Sequence, residues 1–284
     1  MSTKVSLAVP VYDAMPYFEA FLKSVAKQTL RPLEAVFAFD GPTDGSFDCF
    51  QRFLPELESA GITVKYLMLP HRGQAAAVND ALKLVTGDYL TWCDADDEML
   101  PECVAKKADW LDRHPETGMV RNDGYVIDGT SGKIMSRSAR ENDRHTQRIF
   151  DGLLDQTVYC YAGCYMVRMS LFRECYPDLE IPLSPEGQNL QLLLPPASRS
   201  ECGFVDDILH YYYIRPTGHS SRKRSFSETL KRLEGFISLS REILKHCDCD
   251  RDVYEKKIDL IREKRLVQLR YSAVIRAREE IGRK

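Results

Sequence analysis

The sequence predicts an α/β fold, a mainly parallel sheet covered on both faces by helices and followed by a helical C-terminal extension. Two observations carry this expectation. Between Val5 and His114, apolar strand-like runs and helical runs alternate four times with short connections, the pattern of parallel strands buried between helices. From Ser225 onward only the helical period remains.

Val5 to Val11 is β-branched-rich and bounded by polar residues, so it reads as a buried strand, and Pro16 then suits the first position of a helix. Phe18, Phe21, Leu22 and Val25 repeat at helical spacing. Glu34 to Phe39 is the second strand. It ends in the turn cluster Asp40-Gly41-Pro42-Thr43-Asp44-Gly45-Ser46 and a helix from about Phe47. Ile62 to Leu69 is the third strand. His71-Arg72-Gly73-Gln74 leads into an Ala-rich helix through Leu84, and Gly87 stops it. Asp88 to Cys93 is the fourth strand, with a helix from Pro101 to about His114 after it.

In such sheets ligands sit outside the C-terminal strand ends. Tyr12 and Asp13, Asp40, His71 and Arg72, and Asp94 and Asp96 all stand at such ends. The fourth end is the most unusual, because Asp94-Ala95-Asp96-Asp97-Glu98 crowds four acids into five positions. Carboxylates so placed repel one another unless a cation sits among them, and an oxygen-only set suits Mn²⁺ or Mg²⁺ bridging to a substrate phosphate. The competing reading is an acidic turn with Asp97 or Glu98 as a helix N-cap.

The second half reads differently. Met119 to Val126 is a strand, Asp128 to Lys133 a hairpin-like turn, and Ser136 to Arg148 a polar, mobile loop. Thr157 to Met166 has strand character interrupted by Gly163, which marks a bend or a close approach of another group. Glu186-Gly187-Gln188-Asn189 opens a Leu-rich buried helix, and Val205 to Ile214 is a Tyr-rich strand closed by a loop that contains Gly218, His219 and Arg222. Ser225 and Glu228 form a capping box. Phe226, Leu230, Leu233, Ile237 and Leu244 then make one apolar stripe, and Ile258, Ile261, Leu269 and Ala273 face inward on a second long helix. The expected organisation is a nucleotide-binding half over 1–118, an acceptor-binding half over 119–222, and a basic helical extension over 223–284.

Composition sets the outer bounds. The 284 residues, 44% hydrophobic and 29% charged, are those of an ordinary globular protein. The chain enters a strand directly after Met1-Ser2-Thr3-Lys4, with no signal-peptide pattern and no membrane-spanning apolar run. That points to a cytoplasmic protein, peripheral to the inner face of the membrane at most. The nine cysteines form no Cys-x-x-Cys pair, and Cys160/Cys164 and Cys247/Cys249 lack the histidines of a zinc site, so reduced thiols are expected. The net charge of −3 divides into −10 over Met1 to Ser221 and +7 over Arg222 to Lys284. An acidic body excludes nucleic acid as its main partner. The basic tail is either the solvated face of a helical hairpin or a surface that meets anionic lipid or a partner.

With these residues laid out, the chain resembles the family 2 glycosyltransferases of GT-A fold over roughly Val5 to Arg222. The ordered set Val9-Pro10-Val11-Tyr12, Asp40 to Ser46, Arg72-Gly73-Gln74 with Asn79, Gly87-Asp88-Tyr89, Asp94-Ala95-Asp96-Asp97 and Pro101 carries the resemblance. It implies that Pro10 and Tyr12 line the nucleotide pocket and that Asp40 accepts the base N3–H, which favours a UDP-sugar. Asp94 would approach ribose and metal, Asp96 would hold the Mn²⁺ or Mg²⁺ against the diphosphate, and His219 would contact metal or phosphate. Arg72 and Asn79 would complete the nucleotide site. The implied partners are a nucleotide sugar and a glycan or lipid-linked acceptor of cell-surface polysaccharide synthesis.

The implied reaction is metal-dependent, inverting transfer, which needs a carboxylate base for the acceptor hydroxyl. Here the chain departs from the family. Gln188-Asn189 stands where a Glu-Asp pair is common, and an amide cannot act as that base. Glu186 is the nearest carboxylate, so it is the expected base, with Gln188 and Asn189 binding acceptor or sugar. Two rivals remain at this point: a degenerate nucleotide-sugar binding protein, favoured by the missing pair, and a sugar-1-phosphate nucleotidyltransferase. The second would want a Gly-rich basic loop after the first strand, and the chain lacks one.

Overall fold

The computed structural model describes residues 4–30, 33–216, 218, 222 and 224–282, with side chains through 275. Four strands open the sheet: β1 (Val5–Val11), β2 (Leu33–Asp40), β3 (Ile62–Leu69) and β4 (Tyr89–Trp92). Between them run α1 (Phe18–Ala26), α2 (Ser46–Ser59) and α3 (Gln74–Leu82). β5 (Glu98–Met99) and α4 (Cys103–Arg113) follow, then the hairpin of β6 (Met119–Asp128) and β7 (Ile134–Arg137). A short 3-10 helix over Glu141–His145 precedes α5 (Phe150–Leu154), β8 (Tyr165–Arg168), α6 (Met169–Cys175), α7 (Gln188–Arg199) and β9 (Cys202–Ile214), which complete the body. Two long helices end the chain, α8 (Phe226–Leu244) and α9 (Arg251–Gly282).

One sheet runs in the order β3-β2-β1-β4-β8-β6-β9-β5, with β7 on β6. The β3-β2-β1-β4 half is parallel throughout, and β8 enters antiparallel between β4 and β6. β1 and β2 are buried along their whole length, as a strand covered on both faces must be. β3, at the sheet edge, alternates instead and exposes Tyr66 and Met68. On one face Phe18, Phe21, Phe37, Phe39 and Phe50 pack edge-to-face and stacked between α1, α2 and the sheet. On the other face the small side chains Ala75, Ala77 and Ala81 let α3 lie close to β1 and β2, beside Leu190 to Leu194 of α7.

Several expectations are corrected. Pro16 lies in the turn before α1, whose N-cap is Tyr17. The fourth interstrand helix starts at Cys103 after Glu102, so neither Asp97 nor Glu98 caps it, and Glu98 belongs to β5. The 136–148 stretch is organised rather than irregular: Arg121 donates to the carbonyls of Asp143 and Thr146, and buried Asp123 pairs with Arg137 and Arg144. The strand expected over 157–166 shortens to β8, because Gly163 turns with φ 83°. A Cβ there would lie 2.4 Å from the His210 ring, which is the close approach the glycine signalled. Phe226 is exposed, whereas of the inward positions expected on α9 Ile258 is buried and Ile261, Leu269 and Ala273 are half-buried, Ile261 against the core. All nine cysteines are free.

Candidate active site at the C-terminal strand ends

The loops after β1, β2 and β3 are tied together by backbone donors, and this builds one wall. Asp44 accepts from Met15 N at 2.7 Å and from Ser46 N at 3.0 Å, while Asp13, at φ 41°, accepts from Thr43 N at 2.6 Å. Burial pushes the Asp44 carboxyl up, but the Ser46 hydroxyl and Met15 N–H outweigh it and bring it below the usual range. Asp40 is 2% exposed. Its Oδ1 accepts from Arg72 N at 2.7 Å, its Oδ2 from Gly73 N at 2.9 Å, and His71 Nδ1 stands 2.9 Å from Oδ2. The His71 ring in turn stacks on Tyr12 with centroids 4.3 Å apart. Gly41 is needed for this closure, since a Cβ on it would meet His71 N at 2.9 Å.

Tyr12 and Asp40 are therefore brought together, and His71 links them. Pro10 sits in β1 beyond the last register pair with β4, where a missing N–H breaks no ladder bond to that strand. Two of the other residues expected at the nucleotide are used elsewhere. Arg72 pairs with Asp80. Asn79 is buried, with Nδ2 donating to Ile181 O and Oδ1 accepting from Ile181 N, both at 2.9 Å. Its amide clamps the 181 backbone onto α3, a structural use of a residue expected at the nucleotide.

The acidic turn after β4 is held from two sides. From α3, Gln74 Nε2 donates to Asp94 Oδ1 at 3.0 Å. From the end of β9, Arg215 Nη1 donates to Asp96 Oδ2 at 2.8 Å and Nη2 to the Asp96 carbonyl. The Arg215 guanidinium lies 3.8 Å from the Tyr17 ring centroid. Asp97 points away from this pair. It accepts from Tyr213 N at 3.0 Å, while its Oδ2, without a hydrogen-bond partner among the described residues, stands 3.8 Å from His210 Nε2. β5 joins the same strand, as Glu98 pairs with Tyr211 and accepts the Tyr213 hydroxyl at 2.8 Å.

The electrostatics follow from this packing. Burial, then Asp96, pushes the Asp94 carboxyl up to about 7. Burial raises Asp96 as well, against the opposing Arg215 charge, and burial with the two neighbouring acids pushes Asp97 well above its ordinary range. Burial and Lys107 push His210 down to about 3, so it faces Asp97 as a neutral ring. Among the described residues no group of three or more His, Cys, Asp or Glu side chains is set to enclose a metal ion. Two carboxylates that resist joint ionisation do fit a hard cation whose remaining ligands are water and phosphate. Arg215 would have to leave Asp96 Oδ2 for it.

The third wall is α7. Trp92 Nε1 donates to Asn189 Oδ1 at 2.9 Å, which places the start of α7 beside the end of β4. Gln188 is buried with neither amide atom hydrogen-bonded among the described residues. Glu186 accepts from Arg232 Nε of α8 at 2.7 Å, so the helical extension reaches the segment expected to carry the base. His219 lies outside the described residues. A cavity of about 130 Å³ lined by Tyr17, Asp96, Glu98, Tyr213 and Arg215 adjoins the acidic turn, and it is too small for a nucleotide sugar.

The family model for glycosyl transferase family 2 matches residues 6–176. The chain is 29% identical over 182 residues to the glycosyltransferase TuaG of Bacillus subtilis, named for teichuronic acid biosynthesis, covering 63% of this chain and 66% of that protein. It is 30% identical over 100 residues to the uncharacterized glycosyltransferase YibD of Escherichia coli, covering 35% of this chain and 28% of YibD. The chain likewise spans 30% and 26% of two uncharacterized glycosyltransferases from Rickettsia conorii and Rickettsia bellii.

Among solved structures, S. aureus TarS 1-349 in complex with UDP-GlcNAc superposes with a TM-score of 0.64 at 20% identity, covering 93% of this chain and 71% of that one. The mannosyltransferase PcManGT from Pyrobaculum calidifontis, in complex with GDP-Man and Mn2+, gives 0.59 at 14% identity, covering 100% and 81%. These likenesses establish the fold as GT-A.

Proposed function

The chain belongs to glycosyl transferase family 2, and from that premise we propose that it moves a sugar from a UDP-sugar to a hydroxyl of a glycan or lipid-linked acceptor in cell-surface polysaccharide synthesis. The observation that supports this reading is the placement of Tyr12, Asp40, Asp94 and Asp96 at or just past the C-terminal ends of β1, β2 and β4, where an α/β sheet binds its ligand. UDP-GlcNAc on the structural neighbour TarS supports the uridine donor, and the naming of TuaG supports the polysaccharide context.

Asp94 and Asp96 would hold Mn²⁺ or Mg²⁺, which when bound supplies Lewis-acid stabilisation of the leaving diphosphate. Gln74 fixes Asp94 for that task. Tyr12 and His71 offer the base a flat face, and Asp40 holds the loop that carries His71. Glu186 would take the acceptor proton in a single in-line displacement with inversion, once Arg232 yields one carboxylate oxygen. Gln188 and Asn189 would bind acceptor or sugar.

A second reading, a non-catalytic nucleotide-sugar binding protein, is favoured by the Glu186–Arg232 ion pair. Initial-rate UDP release from a panel of UDP-sugars with Mn²⁺ separates the two. The transferase reading predicts turnover that rises with added acceptor and falls about a hundredfold or more in Glu186→Gln. No UDP release from any donor would leave only the binding reading.

A further inference from the structure

The inner face of α9 is committed to the body. Ile258 is buried, Tyr254, Ile261 and Leu266 pack on the core, and Arg262 pairs with Glu234 of α8. The outer face carries a second apolar stripe. Val253, Leu260, Val267 and Val274 recur every seven residues, and Tyr271 and Ile275 widen the stripe, with exposures from 39% to 68%. Seven-residue spacing drifts only about 20° per repeat, so these side chains share one face. They are six of the thirteen exposed large apolar side chains among the described residues, a concentration that single scattered surface residues do not produce.

The charges beside the stripe point to its partner. Up to Ile275, the charged residues three or four positions from a stripe residue within α9 are Lys256, Lys257, Lys264 and Arg270 against Glu263. Lys257 also reaches Asp151 at 2.5 Å, and the other three cations have no ion pair among the described residues. We propose that this face of α9 docks on an anionic lipid bilayer. The apolar stripe would enter the boundary between head groups and acyl chains while the lysine and arginine stems lie along it and reach lipid phosphates. A second copy of the chain would set one net-positive flank against another, so charge complementarity favours lipid over self-association. The proposal does not depend on the transferase reading, because α9 carries none of the proposed site residues.

The test is co-sedimentation of the full chain with vesicles of phosphatidylcholine and phosphatidylglycerol in equal parts, against phosphatidylcholine alone, at low and high salt. Circular dichroism monitors folding. The wild type should pellet with the anionic vesicles only and be released by salt. Lys256→Gln with Lys264→Gln should lower the partition coefficient by on the order of thirtyfold, at about fivefold per basic residue removed. Leu260→Ser with Val267→Ser should also lose binding while keeping its helix content. Failure of the wild type to bind anionic vesicles at low salt would overturn the proposal, as would binding that both variants retain. A dimer seen by light scattering and lost in Leu260→Ser with Val267→Ser, without vesicle binding, would assign the face to a second copy.

Discussion

Two groups of acidic side chains sit at opposite ends of the parallel sheet, fully buried Glu34 at one end and half-buried Asp94 and Asp96 with buried Asp97 at the other, and they are built in opposite ways. At the N-terminal end, Glu34 of β2 accepts from the Ser6 hydroxyl at 2.5 Å and Thr86 N at 2.8 Å, with Lys65 Nζ at 2.7 Å and Lys4 Nζ at 3.3 Å. Burial alone would push this carboxyl up, but Lys65, Ser6 and Thr86 outweigh it and hold it at about 2. At the C-terminal end, Asp94, Asp96 and Asp97 are all raised, and one Asp97 oxygen has no hydrogen-bond partner among the described residues. A satisfied acid stabilises the fold. An under-satisfied cluster costs stability and is what a site awaiting a cation and a diphosphate would look like.

The comparison can be broken by substitution. Asp96→Asn should reduce UDP-sugar turnover by on the order of a thousandfold, since metal stabilisation of a leaving group is worth several kcal/mol, with the urea midpoint unchanged or higher. Glu34→Ala should do the reverse. It strands Lys65, Ser6 and Thr86 around a buried gap and should cost about 3 kcal/mol in urea unfolding while leaving nucleotide affinity intact.

A pH series sharpens the same contrast. The Glu34 carboxyl is depressed, so its contribution is fully present above its unfolded value of about 4.5 and is lost as pH falls toward 2. Each pKa unit is about 1.4 kcal/mol, so acid unfolding of the wild type should steepen in that window and that of Glu34→Gln should not. Asp94 runs the other way: its raised value makes ionisation between about 4 and 7 destabilising. Asp94→Asn should therefore stabilise the metal-free protein at pH 8 by about 1 kcal/mol, discounted for partial exposure, and thermal unfolding checks it.

The sheet was legible because its first four strands are short apolar runs whose helices carry plain amphipathic or Ala-rich patterns, as Phe18, Phe21, Leu22 and Val25 illustrate. The acidic turn was legible because no strand end needs four carboxylates. What sequence reasoning missed depends on partners far away in the chain. Arg215 reaches Asp96 across 119 positions, and Asn79 clamps Ile181 across 102. β5 has two residues, too few for any periodicity, yet it fastens the acidic turn to β9. The Gln74 contact with Asp94 carried a signal, since Gln74 stood in a recognised motif, but its reach required the packing of α3 against β1.

Isothermal titration of UDP with and without Mn²⁺, on the wild type and on Asp96→Asn, tests the central claim most directly. UDP binding that needs Mn²⁺ in the wild type and disappears in Asp96→Asn is the predicted result. Equal UDP binding by both proteins, with no effect of Mn²⁺, would contradict a metal-bridged donor site at the end of β4.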